Sequence, residues 1–537
     1  MASRRDRYML PAWLTATALA ALGWWFGSGV QPLWWLTWLA PLPVLWLAPR
    51  VRARWAALAA FVAYAIGGMN EWNYLHGYIG LPVVAIIQAV GTPALMLALC
   101  VLLFRRLLLR GRVLAATLAL PVMWVATEYV NNLISPHGTF FNISYTQMDA
   151  LPIIQIAAVT GIWGIGFLVL LLPAAIAVQT AYQSPKRSRM TAAVGVAVLL
   201  AIAFAYGSWR LQAPATATIR VGLVSLQEPV RSAADMQARE AHYVDAIKRL
   251  AGAGARIALA PETSFSTGDA SPLAFAELAN QHDLTVGIGV DFKGDPHAER
   301  NMLMVFQPGA TSPATYNKHH LLVGFEQYTP GDSYTMLEGA PRIGLAICKD
   351  MDFHDIGHAY AARHAQLLLV PASDFTVDGW LHSRMAIMRG VESGFAIARA
   401  AHSGRLTLSD DRGRVLAEAS SEKHDAELVG ELPLRETHTL YAQWGDWFAW
   451  LDWLAWSCCW ACPCVRFTAE TNDQPLCGGA GRSFGTTRGN AVAARSRSSR
   501  SCWFARSRAR CARSAASSCC WARALFAVGR LALSATS

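Results

Sequence analysis

The sequence predicts a bundle of membrane-spanning helices followed by an α/β domain. Three observations carry this. Of 537 residues, 54% are hydrophobic and only 15% are charged, against roughly 25% charged in a soluble domain. The first 208 residues form seven apolar runs divided by short polar joints. Beyond residue 210 the pattern changes to period-two runs alternating with amphipathic stretches, the signature of an α/β fold.

The apolar runs fall near 9–27, 31–48, 55–70, 80–104, 113–133, 152–180 and 190–208. Several reach the roughly 20 residues that cross the hydrocarbon as a helix; 31–48 and 55–70 are short. Arg4, Arg5 and Arg7 ahead of the first run imitate a signal peptide. No small-residue cleavage pattern ends that run and another follows at once, so a retained helix is expected. Orientation follows from the basic joints. Arg50, Arg52 and Arg54 follow the second run, Arg105, Arg106, Arg110 and Arg112 the fourth, and Lys186, Arg187 and Arg189 the sixth. The joints near 28–31, 71–79 and 134–151 hold no Lys or Arg. This alternation places the N-terminus in the cytoplasm and the chain after Trp209 outside. Glu128 sits near the outer end of the fifth run, with Asn131 and Asn132 a turn on. An intramembrane carboxylate is a functional candidate; the alternative is a side chain reaching the outer interface.

In the second half, strands are expected at 219–227, 257–261, 284–291, 302–307, 342–348, 367–371 and 395–400. Helices are expected at 234–250, 273–282, up to Arg363, and 379–394, and the domain ends near Pro433. No repeat, phosphate-binding glycine loop or metal-ligand cluster stands out, so no cofactor and no metal are expected. The net charge of +10 comes from the tail: residues 1–465 carry 34 basic against 34 acidic residues. A basic footprint confined to a tail gives no reason to expect nucleic-acid binding by the body.

Functional residues in α/β folds lie just past the carboxyl ends of strands. Glu262 ends one in Pro261-Glu262-Thr263, Cys348 ends one in Ile347-Cys348-Lys349-Asp350, and Lys318 follows a strand-like run in Tyr316-Asn317-Lys318. Together they offer a general base, a nucleophile and a cation. A thiol needs a neighbouring base or positive charge to react readily, and a lysine can also hold an oxyanion. Both Glu262 and Lys318 are expected to line a cleft. Cys100, inside an apolar run, reads as packing.

The order Glu262, Lys318, Cys348 resembles the Glu-Lys-Cys signature of the nitrilase, or carbon-nitrogen hydrolase, superfamily. Glu326, in Gly324-Phe325-Glu326-Gln327-Tyr328, matches that superfamily's second glutamate. Seven spans ahead of such a domain and one after it look like the apolipoprotein N-acyltransferase family. Trp124 with Glu128, Ser144-Tyr145-Thr146-Gln147, and the run from Gln155 to Gly161 are similar to that family's fifth and sixth spans. The resemblance implies an α-β-β-α sandwich at 209–433 behind a seven-span membrane domain at 1–208. Its catalytic residues would be Glu262, Lys318 and Cys348, with Glu326 and Asp350 in support. It implies a thioester on Cys348, a phospholipid acyl donor, a lipid-modified lipoprotein as acceptor, and a monomer in a bacterial inner membrane with the catalytic domain on the periplasmic side. Two places depart from the family pattern. Cys348-Lys349-Asp350 replaces Cys-Tyr-Glu, and Gln227-Glu228-Pro229 lacks the usual Asn and a downstream Trp. A membrane-tethered amidase hydrolysing a carbon-nitrogen bond is therefore a second reading, and an inactive membrane-anchored binding protein a third.

Other motifs point less far. His354, Asp355 and His358 imitate a metalloprotease helix, but the acid is Asp and Gly357 weakens the helix. His319 and His320 read as supporting or surface residues, and Asp374 and Asp378 as loop residues ahead of a helix. An eighth, degraded span is expected at 434–465. Asp452 intrudes there, at roughly 2.5–3.5 kcal/mol near a membrane centre, and Cys458, Cys459, Cys462 and Cys464 follow without metal-site spacing. Residues 466–537 hold twelve Arg and no Lys. Their Arg, Ser and Cys richness is expected from a reading-frame shift near 452 or from a disordered tail.

Overall fold

The computed structural model describes residues 4–181, 184–227, 232–269, 271–295 and 297–461. It divides into one unit at 1–453 and a second at 454–537. Of the second, the described residues, 454–461, continue the helix Trp447–Ala461. Fifteen residues of that helix are described, and the expectations for 462–537 lie outside the described residues.

Five helices of the membrane half are long and apolar enough to cross a bilayer: Met9–Gly27, Val83–Leu109, Val113–Ile134, Ile162–Gln179 and Lys186–Arg210. The run 31–48 is not one helix. It forms Trp34–Thr37, Leu42–Leu47 and a 3-10 turn at Ala48–Arg50. Pro41, Pro43 and Pro49 account for this, because each lacks an N–H donor and its ring crowds the preceding turn. Ala53–Gly68 spans 16 residues and buries Ala56, Ala59, Ala60 and Ala63, a small-residue stripe that lets helices approach closely. The run 152–180 breaks into two one-turn pieces, Leu151–Ile154 and Ala157–Thr160, before the helix Ile162–Gln179. Glu128 faces the joint at 134–151. Its carboxylate accepts bonds from Asn142 Nδ2 at 3.0 Å and Ile143 N at 3.1 Å, and so anchors the 3-10 helix Ile143–Gln147.

The second half is a two-sheet sandwich. One sheet runs β12–β1–β2–β4–β5–β6, with β3 paired to β4. Its strands are β1 (Ala217–Ser225), β2 (Ile257–Leu259), β3 (Phe265–Thr267), β4 (Thr285–Phe292), β5 (Arg300–Phe306), β6 (Ala314–Asn317) and β12 (Ala426–Leu434). The other runs β11–β10–β9–β8–β7, from β7 (Ile343–Leu345), β8 (Leu367–Ser373), β9 (Ala396–His402), β10 (Arg405–Ser409) and β11 (Val415–Ser420). The inner faces meet through Leu223, Leu259, Leu303, Leu345, Leu369 and Leu408, all fully buried. Each such side chain contributes about 1.5–3 kcal/mol. Helices Ala233–Gly252 and Leu273–His282 cover one outer face, and His354–Ala362 and Gly379–Ser393 the other. The expected α-β-β-α layering is therefore present. First and last strands pair along their whole length, from Ala217 against Leu434 to Ser225 against Ala426.

Candidate active site

Strand β2, parallel to β1 and β4 in one sheet, leads to Glu262, and β7, parallel to β8 in the other, leads to Cys348. Beyond β2, Glu262 packs against β4 at Gly289, where a side-chain carbon would come within 2.2 Å of the Pro261 carbonyl. Beyond β7, Cys348 opens a one-turn 3-10 helix, Cys348–Asp352. Its φ of +46° lies in the left-handed region, which costs a non-glycine residue roughly 1–3 kcal/mol. Lys318 follows β6 directly.

These residues are brought together. Lys318 Nζ donates to Glu262 Oε1 at 2.7 Å and to Glu326 Oε1 at 2.9 Å. Glu262 and Lys318 are 5% and 3% exposed, so both are buried instead of lining an open cleft. Asn301, at the start of β5, donates its Nδ2 to both glutamates, at 2.7 and 2.9 Å. Burial opposes the charge on Lys318, but Glu262, Cys348 and Glu326 outweigh it and hold the ammonium above the usual lysine range. The Cys348 Sγ donates to the Ser373 carbonyl at 3.7 Å. Burial pushes its pKa well up, Glu262 adds to this and Lys318 opposes it. A thiol so placed rests protonated and needs a base to react.

Asp350 pins two loops. Its Oδ2 accepts from Ile347 N at 2.9 Å and Tyr316 OH at 2.8 Å; its Oδ1 accepts from His319 N at 3.1 Å and His320 N at 2.9 Å. The loop that carries Lys318 is thereby tied to the turn that carries Cys348, through backbone groups of the two histidines. Asp355 of the metalloprotease-like motif bonds His320 at 3.0 Å, and the rings of His354 and His358 lie against Tyr441.

A second charged cluster adjoins the thiol. Arg399 on β9 grips both oxygens of Asp374, at 2.6 and 2.9 Å, and His382 Nδ1 lies 3.2 Å from Asp374 and 3.4 Å from Asp378. Asp374, Asp378 and His382 each place one ligand atom within 4.8 Å of the others, a set able to hold a cation; Arg399 supplies positive charge there already. His364, Glu436 and His438 form a similar exposed set. Burial would lift the Asp374 carboxyl, but Arg399 and His382 hold it well below the carboxylate range. Burial disfavours a charged His382, yet Asp378 and Asp374 bring its pKa up to about 9. Its folded value thus exceeds the unfolded value of about 6.5. The stability it contributes is complete below pH of about 6.5 and lost as pH climbs through about 9. The thermal midpoint in detergent should therefore fall over that window, with His382 contributing about 3 kcal/mol. His382→Gln should flatten the slope, and an unchanged slope would show that His382 is not its source.

Residues 16–175 match the family model of the apolipoprotein N-acyltransferase N-terminal domain, and 220–443 match that of carbon-nitrogen hydrolases. The two matches together span well over half of the chain. The chain belongs to the apolipoprotein N-acyltransferase family. It is a bacterial membrane protein and an enzyme of the acyltransferase and carbon-nitrogen hydrolase kind. It is 25% identical over 475 residues to an apolipoprotein N-acyltransferase of Geobacter metallireducens, covering 78% of this chain and 88% of that one. The family member of Haemophilus ducreyi is 25% identical over 471 residues, covering 77% and 90%. Among solved structures, an amidase from Nesterenkonia sp. matches 40% of this chain and 90% of its own at 23% identity and a TM-score of 0.35. A carbon-nitrogen hydrolase from Helicobacter pylori G27 matches 43% and 94% at 16% identity and a TM-score of 0.36.

Sequence reasoning missed Asn301, His382 and Arg399, and read Asp374 only as a loop residue ahead of a helix. Asp374 directly follows β8 and was open to the same strand-end rule that found Glu262 and Cys348. Asn301 is the second residue of β5, and no linear signal marks it.

Proposed function

We propose that this chain moves an acyl group from a membrane phospholipid, through a thioester on Cys348, to the N-terminal amine of a lipid-modified lipoprotein. The observation that carries the reading is the meeting of the buried Glu262–Lys318 ion pair with the Cys348 thiol. Glu262 takes the thiol proton and the sulfur attacks the ester carbonyl. Lys318 stabilises the oxyanion, the C–O bond breaks and the lysophospholipid leaves with that proton. The acceptor amine then attacks the thioester, the C–S bond breaks, and Glu262 passes the amine's proton to sulfur. Water is disfavoured because thioesters undergo aminolysis more readily than hydrolysis and a site beside the membrane is partly dry. One departure favours the amidase reading: Lys349 stands where the family carries an aromatic residue.

The test is purified protein in phospholipid-containing micelles with a lipid-modified peptide bearing a free N-terminal cysteine amine. One acyl mass should appear on that amine. Release of free fatty acid alone, with no gain on the peptide, would reject transfer and favour hydrolysis. The reading also places the catalytic domain on the periplasmic side of the inner membrane, supported by the basic joints. Alkaline phosphatase fused after Trp209 should be active as an exported enzyme, and an inactive fusion would reverse the orientation.

A further inference from the structure

The nucleophile turn is not completed by its own domain. A one-turn helix leaves its last carbonyls without intrahelical partners. In the turn Cys348–Asp352 the Asp352 carbonyl is capped from the membrane half. Thr139 gives it two bonds, from its backbone N at 3.0 Å and from its Oγ1 at 2.7 Å. Gly138, at φ +53°, makes this approach possible: a side-chain carbon there would lie 2.6 Å from the same carbonyl oxygen. Thr139 is itself held. Since its Oγ1 donates to Asp352, Tyr145 OH donates to Thr139, at 2.5 Å, and Arg389 donates to Tyr145 OH at 2.8 Å. Arg389 is paired with Glu392 at 2.7 Å, and Glu392 accepts from Ile162 N at 2.8 Å, at the start of a membrane helix. Lys349, one residue past the thiol, adds a contact from its ammonium to His137 Nδ1 at 3.4 Å while paired with Asp352 at 3.2 Å. Thr139, Tyr145, Arg389 and Glu392 are all buried.

We infer that Thr139 is a positioning residue for the nucleophile: the joint 137–145 caps the turn that carries Cys348, so the thiol takes its reactive position only when the membrane half is seated. This rests on Cys348 being the nucleophile. Within the domain, Asp350 fixes the start of the turn through Ile347 N. Its far end, four residues on, is fixed by Thr139. Releasing that end leaves the strained Cys348 backbone free to relax, and displacements of about 1 Å in a reacting group cost up to about 10² in rate.

The experiment uses the full chain in detergent and a soluble p-nitrophenyl ester, so that no phospholipid is needed. Thiol attack releases p-nitrophenolate, and the burst reports acylation of Cys348. Thr139→Val should slow the burst by about tenfold or more, with Thr139→Ser restoring most of the rate. Since Thr139→Val strands the Tyr145 hydroxyl, a second protein, Thr139→Val with Tyr145→Phe, removes that orphaned hydroxyl; it also takes the Tyr145 acceptor from Arg389, so its thermal midpoint is measured beside the burst. This second protein should be equally slow. A wild-type burst rate in that double variant, or no recovery with Ser, would overturn the capping role. A wild-type protein with no burst at all would overturn the reading of Cys348 as well.

Discussion

Cys348→Ala should form no acyl adduct when the protein is incubated with phospholipid, while the wild type should gain one acyl mass that hydroxylamine removes. Removing a nucleophile lowers the rate on the order of 10⁶, because no neighbouring group can take over its bond-forming role. Cys100, the other cysteine before residue 458, is fully buried in a membrane helix and is no substitute. The variant should fold. The thiol makes one long hydrogen bond among the described residues, to the Ser373 carbonyl, and alanine at φ +46° meets the same backbone strain as cysteine. A thermal midpoint close to wild type with no adduct is the expected pair of results. An adduct that persists in Cys348→Ala would move the nucleophile elsewhere.

The strand-end rule found Glu262, Lys318 and Cys348 because their positions follow from local pattern: an apolar run that stops at a polar residue. Burial did not follow from pattern. A glutamate and a lysine after strands read as cleft-lining groups, and only the fold shows that Glu326 and Asn301 close over them. The same limit applies in the membrane half. Hydropathy marks 31–48 and 152–180 as apolar, yet Pro41, Pro43 and Pro49 break the first, and the second breaks ahead of Ile162, whose N–H is taken by Glu392 from another domain. Glu128 was legible as an unusual carboxylate, but its partners Asn142 and Ile143 lie on a joint whose path the sequence does not reveal. Asp350 shows the converse. The resemblance suggested a supporting carboxylate, and what the fold shows of it is four bonds that make it a pin between two loops.

Lys318→Ala should abolish acylation and also destabilise the protein, because in the proposed mechanism this ammonium does two things at once. As an oxyanion donor its loss alone costs about 10²–10³ in rate. As a buried cation it separates two carboxylates, bonding Glu262 and Glu326 through the same nitrogen. Deleting it leaves both glutamates facing Asn301 with no counter-charge, and breaking a buried pair by removing one partner typically costs about 3–5 kcal/mol. Lys318→Arg should fail too, since a planar guanidinium cannot replace a compact ammonium between two oxygens. The two effects can be separated. Lys318→Met with Glu326→Gln removes one buried charge of each sign and leaves Glu262 with its Asn301 bond. The thermal midpoint should recover part of what Lys318→Ala lost, while single-turnover acylation stays absent. Acylation returning with the midpoint would mean that Lys318 only holds the fold, and the oxyanion would need another donor.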